Sequence, residues 1–425
     1  ITVRAIGEEL PRGDYQRCPQ CDMLVELPVL PEGSKSSCPR CHTTLMVKWR
    51  EPRRQPVLYA ICALFMLVLA NLFPFVNMSV AGIRNAITLI QIPQVLVSED
   101  YASMASLFMI FVQLIPAFCM VSIILLNLRI PMPTELKVMM AKILFKCRSW
   151  CMVEIFLAGV LVSFVKLMAY GDVGVGTSFL PYCLFCVLQV RVFQVIDKRL
   201  LWSDIAPAPQ HPENLRVGLT GLQQGLRSCS CCSAILPADQ LSCPRCHSKG
   251  HVRRRNSLQW TMSLLITAIM LYIPANVLPI MVTQALGTKL TSTIMAGVIL
   301  LWGEGSYPVA MVIFIASIMV PTLKILAIGW LCWDAKYATR GDSERMHFVY
   351  EIVEFVGRWS MIDVFVIAVL SALVNMGQLM SIYPDIGALL FAMVVIITMI
   401  SAMTFDPRLL WDRERGLTYK EPQSE

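Results

Sequence analysis

The sequence predicts an all-α integral membrane protein made of two similar halves, and three observations lead to this prediction. Hydrophobic residues make up 56% of the 425 residues and charged residues only 15%, which is too apolar for an ordinary soluble domain. Apolar runs long enough to cross a bilayer as helices occur repeatedly along the chain. Several short motifs recur after an interval of roughly 205 residues, as in a tandem duplication.

The predicted spans are apolar runs near the length of about 20 residues that a helix needs to cross the hydrocarbon core. They cover residues 57–79, 104–128, 150–169, 177–196, 259–282, 307–332, 359–379 and 386–405. The polar segment before the first span contains no short apolar core of the kind found in a cleaved signal peptide, so the first span is predicted to direct insertion. The stretch 86–97, interrupted by Pro93, is too short to cross and is predicted to lie at the outer interface.

The distribution of Lys and Arg predicts the orientation of the chain. With eight spans both termini lie on one side, and all but four of the 36 cationic residues fall in the terminal segments and in the loops of that side. The exceptions are Arg84 and Lys289 in opposite loops and Lys166 and Lys324 inside spans. Because cationic loops remain in the cytoplasm, both termini are predicted to be cytoplasmic. The net charge of +7 is accounted for by this pattern and does not indicate a nucleic-acid partner.

Two sets of paired cysteines predict two zinc ribbons. The first set combines the pairs Cys18/Cys21 and Cys38/Cys41, at a spacing that lets two tight turns hold one tetrahedral ion. The second set contains four further ligands in a shorter hairpin, with Cys231 as an alternative ligand. Its predicted ligands are Cys229, Cys232, Cys243 and Cys246. In a reducing compartment such thiols favour metal over disulfides.

Four protein ligands leave no open coordination position, so each ribbon is predicted to be structural. A rubredoxin-like iron site uses the same four thiolates and is the competing interpretation. His42 and His247 follow the CPRC motifs and are predicted to be neighbours of the ions, not ligands. The pair Cys183 and Cys186 lies within the fourth span, and we interpret it as apolar packing.

The repeat extends well beyond the cysteine pairs. ANLFP at 70–74 recurs as ANVLP at 275–279, and WCMVEIF at 150–156 recurs as WSMIDVF at 359–365. Each half is therefore predicted to be a ribbon followed by four spans, in parallel orientation, with each ribbon capping its own membrane module. The predicted segments are a first ribbon (14–50), a first module (55–203), a linker (204–228), a second ribbon (229–256), a second module (257–412) and a cytoplasmic tail (413–425).

Ionisable residues inside spans cost several kcal/mol unless they are paired or hydrated, so they are functional candidates. Lys166 follows Ser163 by one helical turn, and Lys324 follows Ser317 beyond a helix-loosening Pro321. These four polar residues are predicted to line a cavity within the membrane. For each lysine the alternative is that its long stem extends to the nearest interface.

Two further polar features of the spans have simple interpretations. Thr398 in the last span is a candidate for the same polar cluster, although a threonine that bonds its own helix is commoner. Glu154 and Asp363 lie near Arg148 and Arg358, and structural ion pairing is predicted there. The chain has no phosphate-binding GxxxxGK[ST] loop, no HExxH and no supported GxSxG elbow, so it is predicted not to be an enzyme.

Long strings in this chain resemble the paraquat-inducible protein A family over essentially the whole length. They include CPQCDMLVELP, NLFPFVNM, FLAGVLVSFVKLMAYG, SCSCCSAILP, VGRWSMIDVFVIAVLSALV and TFDPRLLWD. The resemblance implies two tetraspanin-like four-helix modules with two cytoplasmic zinc ribbons. It also implies an inner-membrane subunit of a lipid transport system in a Gram-negative envelope.

The resemblance also implies partners. These are a periplasmic MCE-domain tunnel protein of the PqiB type, an outer-membrane lipoprotein of the PqiC type, and membrane lipids. On this basis we expect lipid to enter between spans, with its head group held by Lys166, Ser163, Ser317, Lys324 and Thr398. The alternatives are a redox- or stress-responsive membrane metalloprotein and a scaffold that anchors the MCE partner without moving lipid.

Overall fold

A computed structural model describes most of the chain and shows a predominantly helical protein. The described residues are 14–80, 83–98, 101–167, 172–209, 215–254, 256–285, 288–303, 305, 307–337, 343–374 and 380–414. Helices form the bulk of two modules, and short hairpins form the ribbons that precede them. The predicted dominance of helices is confirmed, but the all-α class is incomplete because both ends of the helical bundle carry small sheets.

The first half begins with a ribbon of two antiparallel hairpins, in which β1 pairs with β2 and β3 with β4. The first module follows. The ribbon strands are β1 (Asp14–Arg17), β2 (Leu24–Leu27), β3 (Lys35–Ser37) and β4 (Thr44–Val47). The module elements are α1 (Arg54–Leu72), β5 (Val76–Val80), β6 (Ile83–Ile87), α2 (Gln91–Ser98), α3 (Ala102–Phe108), a π-helical segment (Met109–Leu114), α4 (Ile115–Asn127), α5 (Thr134–Cys147), a 3-10 turn (Arg148–Trp150), α6 (Val153–Leu167), β7 (Asp172–Val175), α7 (Phe179–Val195) and α8 (Lys198–Ile205).

The second half repeats this order of elements. Its ribbon contains one described hairpin, and its module matches the first one helix for helix, down to a second π-helical segment. The elements are β8 (Leu226–Ser228), β9 (Ile235–Pro237), α9 (Ser257–Val277), β10 (Met281–Ala285), β11 (Thr288–Ser292), α10 (Ile294–Gly303), α11 (Tyr307–Phe314), the π-helical segment (Ile315–Met319), α12 (Val320–Tyr337), α13 (Ser343–Trp359), α14 (Ile362–Leu373), β12 (Met380–Pro384), α15 (Ile386–Thr404) and α16 (Arg408–Glu414).

Among the described residues, 7 helices are long and apolar enough to cross a membrane, or up to 8 if the bent pair α7 and α8 counts as one span. This confirms a multi-pass membrane protein. The third and seventh spans start earlier than their apolar runs do, at Thr134 and Arg345. The cause is that α5 and α13 are amphipathic helices whose charged residues hide them from a search for apolar runs.

Small three-stranded sheets cover the end of each module opposite the ribbons, in the orders β6-β5-β7 and β11-β10-β12. All pairs within them are antiparallel. The stretch 86–97, predicted to lie at the outer interface, divides between β6 and α2, where Ile92 and Leu96 are buried. These strands alternate apolar and polar residues over only four or five positions, which is too short a signal to separate from a loop.

The two modules contact each other mainly through α6 and α14, the third helical spans of the two halves. Every residue of α14 except Asp363 is buried. The rings of Phe156 and Phe365 meet edge to face with centroids 5.8 Å apart. Gly159 permits this close approach, because a Cβ at that position would lie 3.3 Å from the Cβ of Phe365. Small residues at helix crossings are the usual device for close packing in membranes.

Candidate metal centres and the cavity between the modules

The first predicted ligand set forms a compact group of thiols. The Sγ atoms of Cys18 and Cys41 are 3.4 Å apart, and those of Cys21 and Cys38 are 3.5 Å apart. All four Sγ atoms lie within 4.8 Å of one another. A tetrahedral zinc with bonds of about 2.3 Å requires sulfur separations of about 3.8 Å, so these thiols fit such an ion with small adjustments.

The second set has the same geometry. The Sγ atoms of Cys229 and Cys246 are 3.4 Å apart, and those of Cys232 and Cys243 are 3.6 Å apart. Cys231 lies outside this group of four, which favours the predicted ligands over the alternative.

The backbone explains why each CxxC pair converges. In each pair the amide of the residue after the second cysteine donates to the carbonyl of the first, as Asp22 does to Cys18 at 3.1 Å. That following residue has a positive φ in all four turns, and the residues are Asp22, His42, Ser233 and His247. Left-handed backbone at non-glycine residues is uncommon, so its recurrence identifies one turn used four times. His42 and His247 are thus turn residues outside the ligand groups, as predicted.

The chemistry of both groups suits a thiophilic metal. Hydrogen bonds from Cys18 and Cys21 lower the pKa of the Cys38 thiol to about 7. Hydrogen bonds from Cys232 and Cys243 lower that of Cys229 to about 6. Metal ligation needs thiolates, and each group brings together four thiols that form no disulfide. With four protein ligands per group, a bound ion has no free position for catalysis.

The ribbons bind to each other, so they form one cap and not two. The amide of Leu24 in β2 donates to the carbonyl of Leu219 at 2.9 Å, and Gly218 donates back to Leu24 at 3.0 Å. The guanidinium of Arg17 donates to the carbonyl of Leu226 at 2.9 Å. The segment 204–228, predicted as a linker, therefore supplies part of the contact between the ribbons.

Each ribbon also contacts the module of the other half. In the first ribbon, the Arg40 guanidinium lies 4.4 Å from the centre of the Trp411 ring in α16. In the second, Arg245 donates to the carbonyl of Ala206 at 3.1 Å, and the Ser230 carbonyl accepts from Lys198 at 3.2 Å. The predicted cap of each ribbon therefore extends beyond its own module to that of the other half. The cause is the pairing of the ribbons, which places each one above both modules.

A cavity of about 530 Å³ lies between the two modules at the ribbon end. Residues of both halves line it, and these include Arg148, Cys151, Glu154, Gln189, Phe193, Lys324, Glu354, Gly357, Arg358 and Met399. Arg148 donates to the carbonyl of Phe193 at 2.7 Å, and no ion pair between Arg148 and Glu154 is found among the described residues. The predicted structural pairing there is not observed, and both side chains line the cavity instead.

Lys324 occupies the wall of this cavity. Its residue is 3% exposed, and its Nζ donates to the carbonyl of Gly357 at 3.4 Å. A Cβ at position 357 would lie 2.9 Å from Nζ, so the missing side chain of Gly357 makes room for the ammonium group. The Lys324 side chain therefore faces the cavity between the modules.

The other predicted site residues lie elsewhere. Ser163 donates to the carbonyl of Gly159 at 2.8 Å, and Thr398 donates to that of Val395 at 2.9 Å, so both bond their own helices. Ser317 is buried beside a separate, smaller cavity within the second module. Lys166 falls in α6, but its side chain lies outside the described residues. Among the described residues, Lys324 is the predicted site residue that lines the cavity between the modules.

Sequence reasoning missed Gln189 and Glu354 as cavity residues. Gln189 is buried in the middle of α7, and its Oε1 atom has no hydrogen-bond partner among the described residues. A glutamine inside an apolar helix can be recognised in the sequence and indicates a polar contact between helices. Glu354 gave no such signal, because it lies in the charged helix α13.

Comparisons with known proteins identify relatives over nearly the whole chain. The family described as Paraquat-inducible protein A matches residues 54–206 and 258–415. The Intermembrane transport protein PqiA of Escherichia coli K12 is 68% identical over 404 residues, covering 95% of this chain and 97% of that protein. The Lipophilic envelope-spanning tunnel protein A of the same strain is 32% identical over 417 residues, covering 97% and 94%.

A Probable intermembrane transport protein of Haemophilus influenzae is 27% identical over 412 residues, covering 94% of this chain and 97% of that protein. No solved structure matches the chain. The names of these relatives describe transport or tunnel proteins and no enzyme, in agreement with the prediction. The two family matches coincide with the two helical modules. The chain therefore belongs to the paraquat-inducible protein A family.

Proposed function

We propose that this protein is the inner-membrane subunit of an intermembrane lipid transport system, in which it binds lipid between its two modules. The observation that carries the proposal is the cavity of about 530 Å³ with the buried Lys324 in its wall. Among the described residues, the buried ammonium group has one long hydrogen bond, and such a group is costly unless an anion or water completes its shell. The names of relatives at 68% and 32% identity, which refer to intermembrane transport and to an envelope-spanning tunnel, support the same role.

The cavity has the chemistry that an anionic lipid head group requires. Lys324, Arg148 and Arg358 supply three positive charges against the two carboxylates of the lining, and apolar surface lies beside them. The carboxylates are Glu154 and Glu354, and the apolar side chains include Phe193 and Met399. In a site of low dielectric constant the attraction between an ammonium and a phosphate is much stronger than in water. A lipid that enters between the helical modules can keep its acyl chains among apolar residues while its phosphate contacts Lys324.

The remaining features of the proposal come from the sequence and from what its family resemblance implies. The chain forms two tetraspanin-like four-helix modules (55–203 and 257–412), with zinc in both cysteine groups and both termini in the cytoplasm. Lys166, Ser163, Ser317 and Thr398 add polar positions along the lipid path to that of Lys324. A periplasmic MCE-domain tunnel protein of the PqiB type and a PqiC-type outer-membrane lipoprotein accept or supply the lipid.

The test is to measure lipid bound to the purified full chain by native mass spectrometry in mild detergent. We expect phospholipid on the parent protein and its loss from Lys324→Ala. Lys336→Ala is the matched control, because it removes an exposed lysine from the same helix α12. Retention of the lipid by Lys324→Ala, or absence of lipid from the parent, would contradict the proposal and favour the scaffold or redox-responsive alternatives.

A further inference from the structure

A second cavity, of about 560 Å³, lies between the two ribbons and the adjoining end of the second module. Its lining is strongly cationic, since six basic side chains and only two carboxylates, Asp406 and Glu354, face it. The basic residues are Arg17, Lys198, Lys249, Arg253, Arg254 and Arg408. The cavity is separate from the cavity that holds Lys324, although Glu354 lines both.

Three of these cations are neutralised by buried carboxylates. Arg17 pairs with Asp22, and Arg253 bridges Asp22 at 2.8 Å and Asp412 at 2.7 Å. Arg408 pairs with Asp406 through two contacts of 2.8 Å. Asp406 is therefore already engaged, which leaves Glu354 as the one lining carboxylate, among the described residues, that faces the other three cations.

The other three cations have no carboxylate partner among the described residues. Lys198 donates to the carbonyl of Ser230 at 3.2 Å, and Arg254 donates to that of Met403. The ammonium group of Lys249 has no hydrogen bond or ion pair with any of the described residues.

We propose that this cavity is a binding site for a phosphate-bearing anion, held by Lys198, Lys249 and Arg254. The volume lies in the range of sites for small molecules, and cations with charge left over are the usual partners of phosphate. The phosphate belongs either to the head group of an anionic lipid at the membrane surface or to a soluble phosphate ester. The site does not depend on the transport role of Lys324.

Binding to the purified full chain by isothermal titration calorimetry tests the proposal with two probes, dioctanoyl phosphatidylglycerol and glycerol 3-phosphate. We expect the parent to bind at least one probe, and Lys249→Glu and the double variant Lys249→Gln/Arg254→Gln to bind it about tenfold more weakly. Lys249 is exposed, so its replacement leaves folding intact. Lys35→Glu, in the exposed part of β3 away from the cavity, is the matched control and should bind like the parent.

The two probes identify the source of the phosphate. Binding of the lipid alone, with the expected loss in the variants, assigns the site to a membrane head group, and binding of both probes assigns it to a soluble phosphate ester as well. The proposal is overturned if the parent binds neither probe, if the Lys249 variants bind as tightly as the parent, or if Lys35→Glu weakens binding equally. Loss of co-purified lipid from Lys324→Ala is a different readout, so the two proposals fail separately.

Discussion

The backbone conformation of single residues decides which cysteines can hold metal. The structure excludes one candidate ligand that the sequence leaves open. Both Cys231 and Cys232 could complete the second ribbon by spacing alone. The turn geometry selects Cys232, because Ser233 directly after it has the positive φ found after the second cysteine of every other pair. Cys231 lies inside the turn and outside the group of four thiols.

Metal analysis of cysteine variants tests this assignment. We expect the parent to carry two zinc ions, one for each group of four thiols. Cys232→Ser should keep one ion, because three thiolates and a neutral hydroxyl bind zinc far more weakly than four thiolates. Cys231→Ser is the control and should keep both. Inductively coupled plasma mass spectrometry gives the count, and redox-active iron in either ribbon would instead support the redox-responsive alternative.

Functional residues could be predicted from the sequence where they differ clearly from their neighbours in the chain. Lys324 could be recognised because a charge within an apolar run is conspicuous, and the cysteine ligands because their spacing is specific. The buried network of Asp22, Arg253 and Asp412 gave no signal, since its members come from three distant parts of the chain. Lys198, Lys249 and Arg254 look like ordinary surface cations until the fold gathers them around one cavity.

At the scale of elements, spans were predictable because about 20 apolar residues have few uses other than crossing a bilayer. The strands β5 to β7 and β10 to β12 were not, because each is only four or five residues long. The internal repeat contains the evidence for strands that a single segment lacks. Two segments that both alternate in polarity at equivalent positions of the halves are better evidence for strands than either segment alone.

The contact between α6 and α14 joins the two modules, and the helices approach closely at Gly159. Gly159→Leu should destabilise the protein by about 1–3 kcal/mol, because the added side chain would overlap Phe365 in a packed crossing. The midpoint of thermal unfolding in detergent measures this effect. Gly303→Leu is the matched control, since a Cβ there meets nothing within 4 Å.

A second substitution separates overpacking from a general defect in α6. Phe365→Ala keeps the Cβ that faces Gly159 but removes the ring beyond it, which makes room for the rest of the new leucine. The double variant Gly159→Leu/Phe365→Ala should therefore recover part of the lost stability. Additive destabilisation by the two changes would contradict the assigned contact. Lipid bound to these variants then reports whether the spacing of the modules controls the cavity.

At the scale of the whole molecule, the paired ribbons join the two ends of the chain. The first ribbon contacts the last helix through Arg40 and Trp411. Arg253 connects Asp22 of the first ribbon to Asp412 in the same helix. Breaking a buried pair from one side leaves an uncompensated charge, so this network resists separation of the ribbons from the second module.

These contacts also constrain topology, because two segments that touch must lie on the same side of the membrane. Residues 14–47 and 408–414 therefore share one side, and the hairpin of β10 and β11 lies at the opposite end of the second module. The excess of Lys and Arg on the side of the termini predicts that this side is the cytoplasm.

Reporter fusions test that orientation. Alkaline phosphatase folds to its active form only after export, so it should be active when fused after Ala285 in the hairpin and inactive when fused after Glu414. A green fluorescent protein at the same two positions should give the inverse pattern. The reverse result at both positions would place the ribbons outside the cytoplasm. The reducing environment that favours metal over disulfides would then be missing, and the zinc assignment would fail together with the topology.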